Sequence, residues 1–342
     1  MKHLILYTLA LCPVFFATSV WAHHSVNYHF DPDTSWEIEG VVKEFHFQNP
    51  HSGLVVEVAN AEGETVIWEV ETVGRSTLQK QGWTNNQFVP GQRVKVSGFL
   101  GRREEHSLYL RRAEYTDGST TGFVYGQLAQ PLSPEDIDED TEIQTTPLGN
   151  WVRAVAATGP AEIGRERPDD VHPQMANLTE AGWLAADKYD PTTDDPSLEC
   201  RLPSIVRVWG QPDFSPTNIR QEGDIVTIQH EMFDVVRNAY IGQSGPPENI
   251  VPNVLGHSIG WYEGETLYVE TKGFVEGILL PHPGVPHSDR LTILEKFSVD
   301  QLTGALRMEW TATDPLYFSE PLTGDRLFVR SDIPVDKFDC QY

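Results

Sequence analysis

The feature that most constrains this chain is the succession of short β-prone runs filling its second half. Residues 218–333 contain NIRQEGDIVTIQHEMFDVVRNAYIG, GHSIGWYEGETLYVETKGF, DRLTILEKFSV, GALRMEWTATDP and DRLFVRSDI. Each is joined to the next by Gly, Asp or Asn turns at hairpin spacing. Consecutive hairpins without long crossovers predict an up-and-down antiparallel barrel that holds one small ligand.

The same logic applies nearer the N-terminus. WEIEGVVKEFHF, GLVVEVAN and ETVIWEVE read as three strands. GRSTLQKQGW reads as a short helix ending at Gly82, and QRVKVSGFLG and HSLYLRRAEY as two more strands. Three strands, a helix and two strands is the order of an OB-fold barrel. Between the two sets, the acidic run SPEDIDEDTE reads as a solvated linker. Gly149-Asn150-Trp151 matches the G-x-W pattern of a first lipocalin strand, whose Trp plugs the barrel bottom. LTEAGWLAADKYD (178–190) predicts a helix capped by Thr179, with Leu178, Trp183, Leu184 and Tyr189 near one face. The expected fold is therefore all-β with a few short helices: an OB-like barrel (23–117), an acidic linker (118–146) and a lipocalin-like antiparallel barrel (147–342).

Residues 1–22 have one Lys, an apolar stretch and Val20-Trp21-Ala22, the pattern of a signal peptide cleaved after Ala22. A periplasmic or secreted location follows, with no membrane span once the signal is removed. Cys12 leaves with the signal, so Cys200 and Cys340 remain to pair in an oxidising compartment. That bridge closes a loop of ~140 residues, worth on the order of 5 kcal/mol by chain entropy. A formal charge of −25 without a basic block repels phosphate backbones, which excludes nucleic acid as a partner.

AHHS with Phe30-Asp31, GVVKEFHFQNPHSGLVVEV and IWEVE together resemble an uncharacterised family of exported bacterial OB-like proteins. LTEAGW, the Cys-x-x-Pro at Cys200–Pro203, GHSIGWYEGETLYVET, PHSDRLTILEKF and TATDP resemble a companion module often attached to it. The resemblance spans nearly the whole mature chain. It implies an architecture, and no reaction.

Cleavage after Ala22 makes His23 the first residue. Its α-amine and imidazole then bind one metal, and a second imidazole completes a three-nitrogen site suited to copper. The expected ligands are His23, His24, His29 and His51; the bland reading is a polar exported terminus. In the second barrel, Glu231 and Arg237 share strand parity if no bulge intervenes. His257 would move a proton near neutral pH, oriented by Glu231 or Asp289, while Arg237 holds an anionic group. Trp261, Tyr262 and His287 join Arg237 as expected ligand contacts. Asp289, Asp314 and Glu295 read more simply as turn caps at strand ends. Nucleophile-elbow, HExxH and phosphate-loop signatures are absent. Three functions stay open: binding of a small hydrophobic ligand with copper at the N-terminus, a cofactor-independent lyase, isomerase or hydratase, and a structural periplasmic module for a protein partner.

Overall fold

The computed structural model describes residues 26–122, 143–154, 173–191, 193–210, 215–243, 245 and 250–339. The signal segment, His23, His24, Cys340 and residues 123–142 of the expected linker lie outside the described residues. The first barrel contains α1 (Val26–His29), β1 (Phe30–His46), β2 (His51–Ala59), β3 (Thr65–Val73), α2 (Arg75–Lys80), β4 (Arg93–Gly101), β5 (Ser107–Tyr115) and β6 (Thr120–Thr121). Its ring runs β1-β2-β3-β5-β4 and back to β1, antiparallel except for the β3–β5 closure. The three strands, helix and two strands expected from the sequence are all present, and the β3–β5 pairing closes them into a ring. The length of β1 makes closure possible. Its first part pairs with β4 and its second with β2, with register shifts at Asp31/Ser35 and Val42/Glu44 bending it between them. Gly40 sits at that crossing, where a Cβ would overlap the Glu57 carbonyl oxygen of β2. The helix stops where the sequence says, with Gly82 at φ 83°.

The second barrel contains β7 (Gly149–Arg153), α3 (Glu180–Ala186), α4 (Ile205–Trp209), β8 (Thr217–Glu222), β9 (Ile225–His230), β10 (Val236–Ile241), β11 (His257–Glu263) and β12 (Thr266–Lys272). It continues with β13 (Gly277–Leu280), β14 (Val285–His287), β15 (Thr292–Val299), β16 (Leu306–Thr313) and β17 (Leu322–Arg330). Nine strands close in the order β10-β11-β12-β15-β16-β17-β7-β8-β9, while β13 and β14 form a separate hairpin. Two details differ from the expected run of hairpins. Strands β10 and β11 are parallel, and residues 242–256 connect them, because parallel neighbours cannot be joined by a tight turn. The β13–β14 hairpin is inserted between β12 and β15.

Each barrel has its own core. Leu54, Val56, Val70, Leu78, Val96 and Leu108 are central to the first, and Trp151, Ile228, Val269, Ile293 and Phe297 to the second. Trp151 is fully buried, its indole N–H donates to the Pro147 carbonyl at 2.8 Å, and the Arg330 guanidinium lies 4.4 Å over its ring. Thr179 caps α3 by accepting the Gly182 N–H at 3.1 Å. The expected apolar face of α3 is not the one it buries: Gly182 packs inward, while Trp183 and Leu184 are exposed.

A strap at residues 331–339 joins the two barrels. The Asn49 side-chain amide donates to the Phe338 carbonyl, and Arg75 lies 3.4 Å from Asp339. On the other side, the Phe338 N–H donates to Asp234 at 2.8 Å and the Asp336 N–H to Glu231 at 3.1 Å. Lys80 of α2 pairs directly with Glu231 across the seam.

Candidate functional site

The chemistry of the second barrel is concentrated in a polar layer inside an otherwise apolar interior. Arg237 on β10 and Glu295 on β15 form a two-pronged ion pair, with Nη1–Oε2 at 2.5 Å and Nη2–Oε1 at 2.7 Å. Their side chains are only 3% and 0% exposed. The alternation Ile293, Glu295, Phe297 explains the placement, since side chains two apart on a strand share a face and both neighbours are core. Arg237 Nη1 also donates to Thr271 Oγ1 at 3.1 Å, and Thr271 shares a hydrogen bond of 2.8 Å with Ser258.

The α4 helix lies against this layer. Its four apolar residues, Ile205, Val206, Val208 and Trp209, are all buried around the central Arg207. Ser204 caps it by accepting the Arg207 N–H at 3.1 Å, and its hydroxyl donates to the Leu279 carbonyl on β13 at 2.6 Å. So anchored, the helix delivers Trp209 to the layer, where Nε1–H donates to Glu295 Oε1 at 2.6 Å. The same indole meets the His230 ring edge-on at 4.4 Å between centroids and packs on Phe297 and Phe328. His230 Nδ1 lies 2.8 Å from Thr217 Oγ1. Burial, reinforced by the Arg237 charge, holds its imidazole well below the ordinary histidine range, so it is neutral near neutral pH.

The residues singled out from sequence are not gathered at this layer. Of the expected catalytic and ligand-contact residues, Arg237 alone belongs to it. The parity argument linking Glu231 to Arg237 fails because a 3-10 turn, Met232–Asp234, intervenes, with Phe233 at φ 58° and Asp234 at φ 52°. Glu231 instead sits at the seam with Lys80, and burial raises its carboxyl despite that partner. His257 stacks on Tyr240 with ring centroids 5.2 Å apart, while its neighbour Ser258 faces the layer. Trp261 stacks on Tyr268 at 5.4 Å, and the Tyr262 hydroxyl donates to Gln221 at 2.8 Å. His287 is buried on β14, its ring edge toward Phe274 at 6.0 Å, and burial lowers its pKa. Asp289 is exposed in the following turn. Asp314 caps the turn that follows it, accepting from the Leu316 N–H at 3.0 Å, and also accepts from the Ser288 N–H at 2.6 Å and hydroxyl at 2.8 Å. Glu295 was expected to be such a cap and is instead the centre of the interior network.

In the first barrel, the β1–β2 turn and strands β2 and β3 border a cleft of about 350 Å³ lined by His46, Gln48, His51, Gly53, Glu69 and Glu71, among others. His51 Nδ1 pairs with the Glu71 carboxylate, and both side chains are buried. His46 is half exposed, 3.4 Å from Glu44. Partial burial and the Glu104 charge raise the pKa of the largely exposed Glu69 carboxyl, with His46 opposing them. Of the other expected metal ligands, His29 ends α1, and His23 and His24 lie outside the described residues. Among the described residues, no three His, Cys, Asp or Glu side chains converge as metal ligands.

Residues 13–108 match a family of unknown function, DUF6152. The match covers the first barrel up to β5, in line with the expected resemblance to an uncharacterised family, and stops short of the second. No curated protein matches the chain. Among solved structures, a mutant of the fluorescent protein UnaG is similar at 14% identity and a TM-score of 0.26, covering 54% of this chain and 96% of that one.

Proposed function

We propose that the chain is an exported binding protein that holds a small, largely apolar molecule in its second barrel, the molecule's polar group directed at the Arg237–Glu295 layer. The observation that carries this reading is the layer itself. A barrel serving only as scaffold gains little from a buried ion pair, because apolar side chains of the same volume stabilise as well or better. A binding site, in contrast, needs a few fixed polar groups set in apolar walls. Trp209 and Phe297 supply the wall, and Arg237, Glu295, Thr271 and Ser258 the polar groups.

Export is part of the same proposal: cleavage after Ala22, a periplasmic or secreted location, a Cys200–Cys340 disulfide, and copper held by His23 with His24, His29 or His51. Native mass spectrometry of protein taken from its own periplasm tests these together. A mass beginning at His23, a two-proton deficit for the disulfide and a small-molecule adduct are expected. An empty protein whose Trp209 fluorescence is unmoved by apolar probes overturns the binding reading. Unchanged Cu(II) affinity after adding an Ala before His23 overturns the copper reading. The lyase reading has no observation in its favour, since Glu231, Arg237 and His257 have different surroundings.

A further inference from the structure

We propose that the cleft on the first barrel is a second binding site, selective for small organic cations of the primary-amine class. It does not depend on the reading of the second barrel.

The cleft is built by strand register. Gly53 of β2 lies opposite His46 of β1 and Glu71 of β3, and Val55 lies opposite Glu44 and Glu69. Directly opposed residues share a face, so His46, Gly53, Glu71, Val55 and Glu69 converge on one side of the three strands. In the middle of that group Gly53 contributes no side chain. A Cβ there would meet only the Val70 carbonyl oxygen, at 3.2 Å, and would otherwise occupy the open space. The glycine therefore forms the floor of the recess.

The walls select the occupant. No Lys or Arg lines the cleft, whereas two carboxylates do. Glu71 fixes His51 by its Nδ1, which orients the imidazole within the wall. Val55 gives the recess an apolar side chain, while Leu54 and Val70, of opposite parity, border it through their backbone and send their side chains into the core. A volume of about 350 Å³ suits a small organic molecule rather than a bare ion. A short alkylammonium matches both features: its N–H donors meet carboxylate acceptors and its chain lies along Val55 over the Gly53 floor. The acidic lining of the cleft turns away phosphate backbones.

The test is calorimetric titration of the full mature chain with n-butylamine and, separately, with n-butanol, at ~0.15 M salt to screen diffuse attraction. Saturable binding of the amine and none of the alcohol is expected. Glu69→Gln should weaken the amine about tenfold, the loss of one charge-assisted contact. Gly53→Ala should weaken it by filling the floor, and Glu57→Gln, on the same strand pair but outside the cleft, should leave it unchanged. Glu69 is exposed, so its substitution leaves the fold intact, which an unchanged melting curve confirms. Equal binding of amine and alcohol overturns the proposal. So does non-saturable amine binding that Glu69→Gln does not alter, the mark of general attraction to an acidic surface.

Discussion

Neutralising Glu295 is the sharpest probe of the second barrel. Glu295→Gln preserves shape and still offers an amide oxygen to the Trp209 N–H, but it removes the charge that two Arg237 nitrogens grip at 2.5 and 2.7 Å. A buried cation without its counter-charge destabilises by ~3–5 kcal/mol. For a barrel of this size that lowers the melting temperature by roughly 6–20 °C. Arg237→Met strands the carboxylate and should have an effect of similar size. The double variant, Arg237→Met with Glu295→Gln, removes both charges and keeps the indole's acceptor. It should lie within about 2 kcal/mol of the parent. The coupling energy is then several kcal/mol, far above the ~0.5 kcal/mol by which independent sites depart from additivity. Urea unfolding followed by indole fluorescence and by far-ultraviolet dichroism measures all four proteins. A double variant as unstable as the sum of the singles would refute the claim that the pair acts as one buried unit.

Trp209→Phe keeps a ring against Phe297 and Phe328 but removes one of the two donors to Glu295 Oε1, leaving Arg237 alone there, so it should lose ~1–3 kcal/mol in the same assay, the range for a hydrogen bond to a buried charge. Acid should act through His230. Its folded-state pKa is depressed, whereas the unfolded imidazole titrates near ~6.5, so protons favour the unfolded chain below that pH. Stability should therefore fall as pH drops from ~6.5 toward the depressed folded value, and His230→Asn should flatten that slope. Lys80→Met should leave Glu231 buried without its cation and destabilise by ~3–5 kcal/mol; a calorimetric trace identical to the parent's would contradict this.

The strands, the Gly82 stop, the Thr179 cap and the burial of Trp151 were legible because each follows from local chemistry: alternation, left-handed backbone, a hydroxyl acceptor, a bulky apolar ring. Glu295 was equally legible by parity with Ile293 and Phe297, yet carboxylates at strand ends are usually caps, and that prior prevailed over the pattern. The parallel β10–β11 junction was not legible, because strand order is decided by ring closure rather than by any one segment. The turn at Phe233 inverts the parity of everything before it, and one residue of slip exchanges inside for outside. Trp209 escaped because a five-residue helix is too short to show a period. The cleft floor at Gly53 escaped because its meaning comes from residues on two other strands.

The strap that joins the barrels carries a consequence for the order of events as the chain is made. All five strands of the first ring precede residue 116, so that ring can close while the rest of the chain is still being delivered. The second ring cannot, because β7 must wait for β17 to supply its partner. The seam waits longer still: Asn49 and Asp234 meet through Phe338, so neither barrel fixes its neighbour until that residue arrives. A chain halted after β17 should therefore contain two closed barrels that keep the Lys80–Glu231 pair but lack the link from Asn49 through Phe338 to Asp234.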